Sequence, residues 1–215
     1  MIRENIICYH HINKTGGTSI LKWIRKNYKE SENNDIVFYN DDTTIIYNHT
    51  VRIDILCSRL NLNLLDPKIK HIISVRDPID RFFSQLYQNF LEHRPVSCNC
   101  ASSISKDPDI SIDDKTQKQG GWLYNNRDSL KNIKPIFIRR ENLNNDFQKA
   151  FNTKDKLQIS NSFIERYERH YKSYSGFSLL KDWDSMNEDE KNQIRKIVDN
   201  DYEMLKSFGI VYNKR

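Results

Sequence analysis

Lys14, Gly16, Gly17, Thr18 and Ser19 fall together in the stretch Tyr9-His10-His11-Ile12-Asn13-Lys14-Thr15-Gly16-Gly17-Thr18-Ser19. Paired glycines let a backbone approach a ligand closely, and a lysine beside such a turn adds a fixed positive charge. Where the turn opens a helix, the first N–H groups lack partners and carry partial positive charge. The combination makes an anion site, most naturally for a phosphate. The elements needed to hold it stand on either side. Ile6-Ile7-Cys8 reads as a buried first strand, and Ile20, Trp23, Ile24 and Tyr28 give one apolar helix face with basic residues opposite. Taken alone, the stretch has an alternative reading as an ordinary strand-to-helix connection with a lysine nearby.

The order of residues separates this loop from a Walker A loop, G-x-x-x-x-G-K-[ST], whose lysine follows the last glycine. Here Lys14 precedes both glycines. A second informative stretch begins at His71. Ile72–Val75 reads as a buried parallel strand, Asp77 is placed to cap a helix, and Pro78 takes that helix's first position. Ile79, Phe82, Phe83, Leu86 and Phe90 form its apolar face. Arg76 ends the strand and Ser84 lies two turns into the helix. Singly, Arg76 also reads as a strand-end arginine paired to Asp77 or Asp80, and Ser84 as a solvated helix serine.

The order strand–Lys14-Thr15-Gly16-Gly17-Thr18-Ser19–helix resembles the 5′-phosphosulfate loop of sulfotransferases that use 3′-phosphoadenosine 5′-phosphosulfate (PAPS). The form His-Ile-x-Lys-Thr-Gly-Gly-Thr-Ser is most similar to the carbohydrate (heparan/chondroitin-type) branch. Val75-Arg76-Asp77-Pro78-x-x-Arg81-x-x-Ser84-x-x-Tyr87 resembles the same family's 3′-phosphate element. The resemblance implies that Lys14, Thr15, Gly16, Gly17, Thr18 and Ser19 hold the 5′ end of PAPS, and that Arg76 and Ser84 hold its 3′-phosphate. It also implies 3′,5′-adenosine bisphosphate as product, a hydroxyl acceptor, with a carbohydrate the leading class, and no metal. Phe137-Ile138-Arg139-Arg140-Glu141-Asn142-Leu143 and the C-terminal Asp201-Tyr202-Glu203 are similar to later parts of the family, with less specificity.

In-line transfer of a sulfuryl group builds negative charge on the leaving phosphate, so fixed donors belong there. Lys14 and the loop backbone fill that role. The acceptor hydroxyl must lose a proton, and histidine is the natural base near neutral pH. Of the six histidines, His49 follows the apolar run Thr44–Tyr47, which places it at a strand's carboxyl end, where open α/β sheets bind ligands. Its aromatic-x-His setting, Tyr47-Asn48-His49, also resembles the family. A histidine capping the following helix is the alternative. His10 and His11 lead into the loop within reach of a ligand, with His11 expected to be a structural member of the turn, and His71, His93 and His170 are expected to take surface roles. Glu92 and Glu141 are reserve bases. Arg52, Arg81 and Arg94 read as candidate contacts for an anionic glycan or as solvated charges.

The chain has 215 residues, a net charge of +5 and pI near 8.9, which favour anionic ligands without choosing among them. No cluster of basic residues makes a nucleic-acid tail. No stretch approaches the roughly 20 apolar residues of a membrane span. Residues 1–10 hold no signal-peptide core, so a cytoplasmic location is expected. Cys8, Cys57, Cys98 and Cys100 show no metal spacing, and Cys8 and Cys57 read as core thiols. A kinase-like phosphotransferase using Mg-ATP, and a non-catalytic nucleotide- or glycan-binding relative, are the competing functions. The lysine's position disfavours the first.

Strands alternating with helices predict a single α/β domain over 1–215, a P-loop-like three-layer fold with a central parallel sheet flanked by helices. Glu30–Asp35 reads as a polar break between the first helix and the runs Ile36–Tyr39 and Thr44–Tyr47, with a turn at Asn40-Asp41-Asp42. A helix with Val51, Ile55, Leu56 and Leu60 inward follows. Residues 94–118 read as a flap, one helix covers Gln119–Leu130, and Ile136–Ile138 is a short strand. Leu143, Phe147, Ala150 and Phe151 mark an amphipathic helix. The last helix, Glu188–Phe208, carries Ile194, Ile197, Val198, Asp201, Tyr202 and Leu205 near one face and stops at Gly209.

Overall fold

The computed structural model describes residues 4–32, 34–49, 51–91, 119–158 and 183–213. The expected 94–118 flap, Glu92, His93, Arg94, Cys98, Cys100 and His170 lie outside them. The described residues divide into two compact units, one within 1–77 and 121–159 and one within 78–120 and 160–215.

The first unit is built on a six-stranded sheet: β1 (Asn5–His11), β2 (Lys29–Ser31), β3 (Asn34–Tyr39), β4 (Thr43–His49), β5 (Lys70–Val75) and β6 (Ile136–Arg139), in the order β2-β3-β4-β1-β5-β6. β1 runs parallel to β4 and β5, and β5 parallel to β6. The expected parallel sheet is therefore only part of the truth, because β3 is antiparallel to both β4 and β2. The Asn40-Asp41-Asp42 turn closes the β3–β4 hairpin, with the Asn40 side chain accepting from the Asp42 and Thr43 N–H groups. The polar break expected at Glu30–Asp35 holds most of β2 and the start of β3. Lys29-Glu30-Ser31 is a short charged edge strand, which blunts pairing with another chain and shows no apolar alternation.

Side chains alternate across each strand, so the sheet has two distinct faces. Tyr9, Ile45, Tyr47, Ile72 and Ile138 point to the face covered by α1 (Gly17–Asn27) and α6 (Leu143–Phe151). Ile20 and Ile24 from α1 meet Phe147, Ala150 and Phe151 from α6 in one buried cluster, with Trp23 edge-on to both phenylalanines. The predicted spacing of both helices is borne out, except that Tyr28 stands beyond α1 as its extended C-cap. Two helices, α4 (Gln119–Asn125) and α5 (Arg127–Ile133), stand where one was expected, with Asn126 between them. The Asn126 Oδ1 accepts from the Ile53 N–H at the start of α2 (Ile53–Leu60) and Trp122 Nε1 donates to Val51 O. The buried residues of α2 are Ile53 and Leu56, whereas the predicted Ile55 is 47% exposed.

The second unit contains α3 (Pro78–Leu91), a 3-10 turn at Trp183–Ser185 and α7 (Glu188–Ser207). Ile79, Phe82, Met186, Ile194, Val198 and Tyr202 form its core. A capping box starts α7: Asn187 Oδ1 accepts from the Glu190 N–H, and Glu190 Oε2 from the Asn187 N–H. Gly209, at φ 77°, ends it as predicted, its N–H donating to Lys206 O. Arg81 is no glycan contact or solvated charge: it is 1% exposed, with Nη2 3.7 Å from Asp201 Oδ2. Among the described residues no helix is long and apolar enough to cross a membrane.

Candidate functional site

β1, β4, β5 and β6 run in one direction, so their carboxyl ends share one edge of the sheet, and β1 lies at the point where connections diverge to either side. The glycine loop leaves β1 at that edge. His49 ends β4, Arg76 follows β5, and Arg140 follows β6.

The loop has an unusual backbone. Lys14 sits at φ 68° and Gly16 at φ 94°. The other non-glycine residues with positive φ among those described, Asn61, Lys134 and Asn152, are helix C-caps, where that conformation is ordinary. Lys14 has no such excuse of position, and a left-handed non-glycine residue costs roughly 1–2 kcal/mol. Thr15 fastens the turn from inside: its buried hydroxyl donates to Ile12 O at 2.6 Å. That commits the hydroxyl proton to the turn itself.

Gly16 is the N-cap of α1, no side chain caps the helix, and no acid stands in its first turn. Ser19 N–H donates to Gly16 O at 3.2 Å. Among the described residues the N–H groups of Gly16, Gly17 and Thr18 have no hydrogen-bond partner. They make up the positive end of an 11-residue helix dipole.

His11 holds the loop against β4. Its Nδ1 shares a 2.5 Å hydrogen bond with the Tyr47 hydroxyl, and its ring lies so close to Gly17 that a Cβ there would be 2.0 Å from His11 Cδ2. Burial, then the nearby His49 and Lys14, push its pKa down to about 3. His11 is thus a neutral structural ring, as expected from the sequence. His49 is exposed at the end of β4, its ring centroid 4.9 Å from that of His11, edge to face. Partial burial lowers its pKa below the ordinary histidine value, leaving it neutral near pH 7. That is the state a proton acceptor needs.

Arg76 is half-buried, with Nη1 3.5 Å from Lys14 O. Glu141 links the neighbouring strand ends, its Oε1 accepting from the Asp77 N–H at 2.8 Å, so it is a tether and a poor reserve base. Arg140, which sequence reasoning left out of the site, lays its side chain on Gly16: a Cβ there would be 2.9 Å from Arg140 Cδ. No motif signal would have found it. Arg52 is paired to Asp54 at 2.7 Å on the surface. Lys14, Thr15, Gly16, Gly17, Thr18, Ser19, His49 and Arg76 thus belong to the first unit. Ser84 is a half-buried residue of α3 in the second.

The opposite face of the sheet holds a second polar array. His71, expected at the surface, is 2% exposed. Leu64 O can only accept, so His71 Nε2–H donates to it at 2.8 Å. His71 Nδ1 then accepts from His10 Nε2–H at 2.9 Å, and His10 Nδ1 from Asn48 Nδ2 at 2.9 Å. Burial lowers the pKa of both rings, consistent with this neutral chain. Cys8, His10 and His71 bring possible ligand atoms within 4.8 Å of one another. All four ring nitrogens are already occupied by hydrogen bonds, and burial raises the Cys8 thiol pKa far above neutrality, which opposes the thiolate a metal requires. These residues fit a structural relay better than a metal site.

No protein-family model and no curated protein sequence matches the chain.

Proposed function

We propose that the chain is a sulfotransferase that moves a sulfuryl group from PAPS to a hydroxyl, with a carbohydrate as the leading acceptor class, in a P-loop-like three-layer fold. One observation carries the reading: a strained Lys14 next to unpaired Gly16, Gly17 and Thr18 N–H groups, on the same strand-end edge as a neutral His49 and the Arg76 guanidinium. The two glycines let the His11 ring and the Arg140 stem pack directly on the loop backbone, which fixes where its N–H groups stand. The placement of β1 between parallel neighbours, with the loop at its carboxyl end, supports the fold reading.

PAPS supplies a sulfuryl group activated by attachment to its 5′-phosphate. Lys14 and the α1 N–H groups stabilise the negative charge that grows on that phosphate as the bond breaks. Arg76 is assigned to the 3′-phosphate. His49 accepts the acceptor hydroxyl's proton on the ring nitrogen facing it, while Tyr47 and His11 support the strand end from which it acts. Glu141 keeps the β5 and β6 ends together, and with them Arg76.

The test is calorimetric binding of 3′,5′-adenosine bisphosphate to the wild type and to Arg76→Ala, with Mg-ATP as competitor. Magnesium-independent binding that weakens in Arg76→Ala is expected. Absence of binding, or preference for Mg-ATP, would overturn the proposal.

A further inference from the structure

Among the arginines of the described residues, most have an acidic or carbonyl partner. Arg25 approaches Glu30, Arg52 Asp54, Arg81 Asp201, Arg127 Asp128, Arg139 Asp146 and Arg195 Glu188, and Arg76 reaches Lys14 O. Arg59 has no such partner but is exposed to solvent. Arg140 differs from all of these. It is half-buried, and among the described residues its guanidinium makes no hydrogen bond or ion pair. A guanidinium held beside the loop with no partner of its own has its N–H donors available for an anion that the chain itself does not provide.

We infer that Arg140 is a further anion-binding residue, contacting the acidic end of the ligand that occupies the loop over Gly16 and Gly17. Three features place it there. Its Cδ lies 2.9 Å from where a Gly16 Cβ would stand, so the guanidinium starts one bond beyond a stem packed on the loop. The only carboxylate next to it in sequence, Glu141, has Oε1 engaged by the Asp77 N–H. Asp146, whose carboxylate reaches the end of β6, accepts from the Arg139 backbone and Nε, and from the Asn142 amide. The local acids are thus held by other donors. Gly16 has two jobs in this arrangement: it adopts φ 94°, and it leaves room for the arginine stem.

The ligand chemistry is a phosphate-type anion with at least two charged oxygens, the geometry a planar guanidinium grips with two parallel N–H donors. That this anion is the 5′ end of an adenine nucleotide rests on the proposed sulfotransferase reading; that an anion binds there rests on Arg140 itself. Lysine would supply charge without the paired donors, so a lysine at 140 restores only part of the binding.

The experiment measures calorimetric binding of 3′,5′-adenosine bisphosphate and, separately, of inorganic pyrophosphate to the wild type, Arg140→Gln and Arg140→Lys, with thermal melting to confirm folding. Loss of a charge-assisted contact predicts about tenfold weaker binding in Arg140→Gln and partial recovery in Arg140→Lys. Equal bisphosphate affinity in wild type and Arg140→Gln would overturn the inference and leave the sulfotransferase reading standing. If the wild type binds pyrophosphate but no bisphosphate, the nucleotide reading fails. The pyrophosphate ratio then decides Arg140 alone: a tenfold loss supports it, and equal affinity overturns it. A wild type that binds neither anion overturns both.

Discussion

The His11 imidazole rests directly against Gly17, with a virtual Cβ at position 17 only 2.0 Å from its Cδ2 and 2.3 Å from its Nε2. The two residues end β1 and begin α1, so this contact sets how the helix leaves the strand. His11 cannot easily withdraw, because Tyr47 holds its other nitrogen and the ring is buried. Gly17 is therefore a packing requirement of His11, whereas Gly16 serves the backbone turn and Arg140.

Gly17→Ala is expected to destabilise the protein by about 1–3 kcal/mol, the usual range for added bulk in a packed site. It should also weaken anion binding, since displacing His11 moves the first turn of α1. Denaturant unfolding of Gly17→Ala, His11→Ala and the double variant checks this. The double variant should be less destabilised than the sum of the singles, because removing the ring removes the clash. Strict additivity would show that the contact does not control the site.

Acid should unfold the first unit early. In the unfolded chain a histidine takes its proton near 6.5, but folded His11 does so only at about 3. The folded state binds fewer protons between those values, so the stability present above pH 6.5 is lost as pH falls toward 3. The slope is about 1.4 kcal/mol per pH unit for each such histidine. His10 and His71 are lowered in the same direction by burial and add to the slope. Urea midpoints should be flat from pH 7 to 8 and fall steeply below 6.5. A midpoint unchanged between pH 7 and 5 would contradict the buried neutral rings.

The relay across β4, β1 and β5 gives a separate prediction. Asn48 donates to His10 Nδ1 and Val51 O, and accepts from the Val51 N–H, while 1% exposed. Asn48→Ala leaves buried polar groups without partners and should cost about 1–3 kcal/mol in thermal or denaturant unfolding. A cost under about half of that lower figure would mean that water enters and satisfies His10.

Much of the first unit was legible because apolar spacing is a local signal. Ile20 and Ile24, or Leu143, Phe147, Ala150 and Phe151, repeat at helical intervals and are buried as that repeat requires. β2 was hidden because Lys29-Glu30-Ser31 has no apolar alternation and pairs only through its backbone with β3. His71 read from the sequence only as a residue at the start of a strand, yet the β1–β5 register places it beside Cys8, with the His10 ring stacked on its own. Arg81 belonged to a motif that suggested ligand contact, while its partner Asp201 lies far along the chain on α7. The site followed the same division. Its loop, His49 and Arg76 occur in local patterns, whereas Arg140 joins it only through a contact between strand ends.

The proposed chemistry predicts distinct kinetic signatures. Lys14→Ala should remove about 2.7–4 kcal/mol of leaving-group stabilisation, measured as a drop in kcat. His49→Ala should lower sulfuryl transfer by roughly 10²–10⁴ while keeping bisphosphate affinity. The wild-type rate should decline on the acid side, with an apparent pKa below the ordinary histidine value, and that limb should disappear in the variant. Full turnover by His49→Ala would remove the histidine from the base role and leave the loop assignment intact.

Arg81 and Asp201 test the second unit independently of any ligand. Both are 1% exposed and lie on α3 and α7, the helices that share the Ile79, Phe82, Ile194, Val198 and Tyr202 core. Removing one charge leaves the other in a poorly solvated place, at a cost of about 3–5 kcal/mol. Arg81→Met and Asp201→Leu are each expected to show this loss, measured by denaturant unfolding. The double replacement should recover most of it, because an apolar pair of similar volume requires no desolvated charge. If the double variant is as unstable as the singles, the pair is part of a larger polar network in that core.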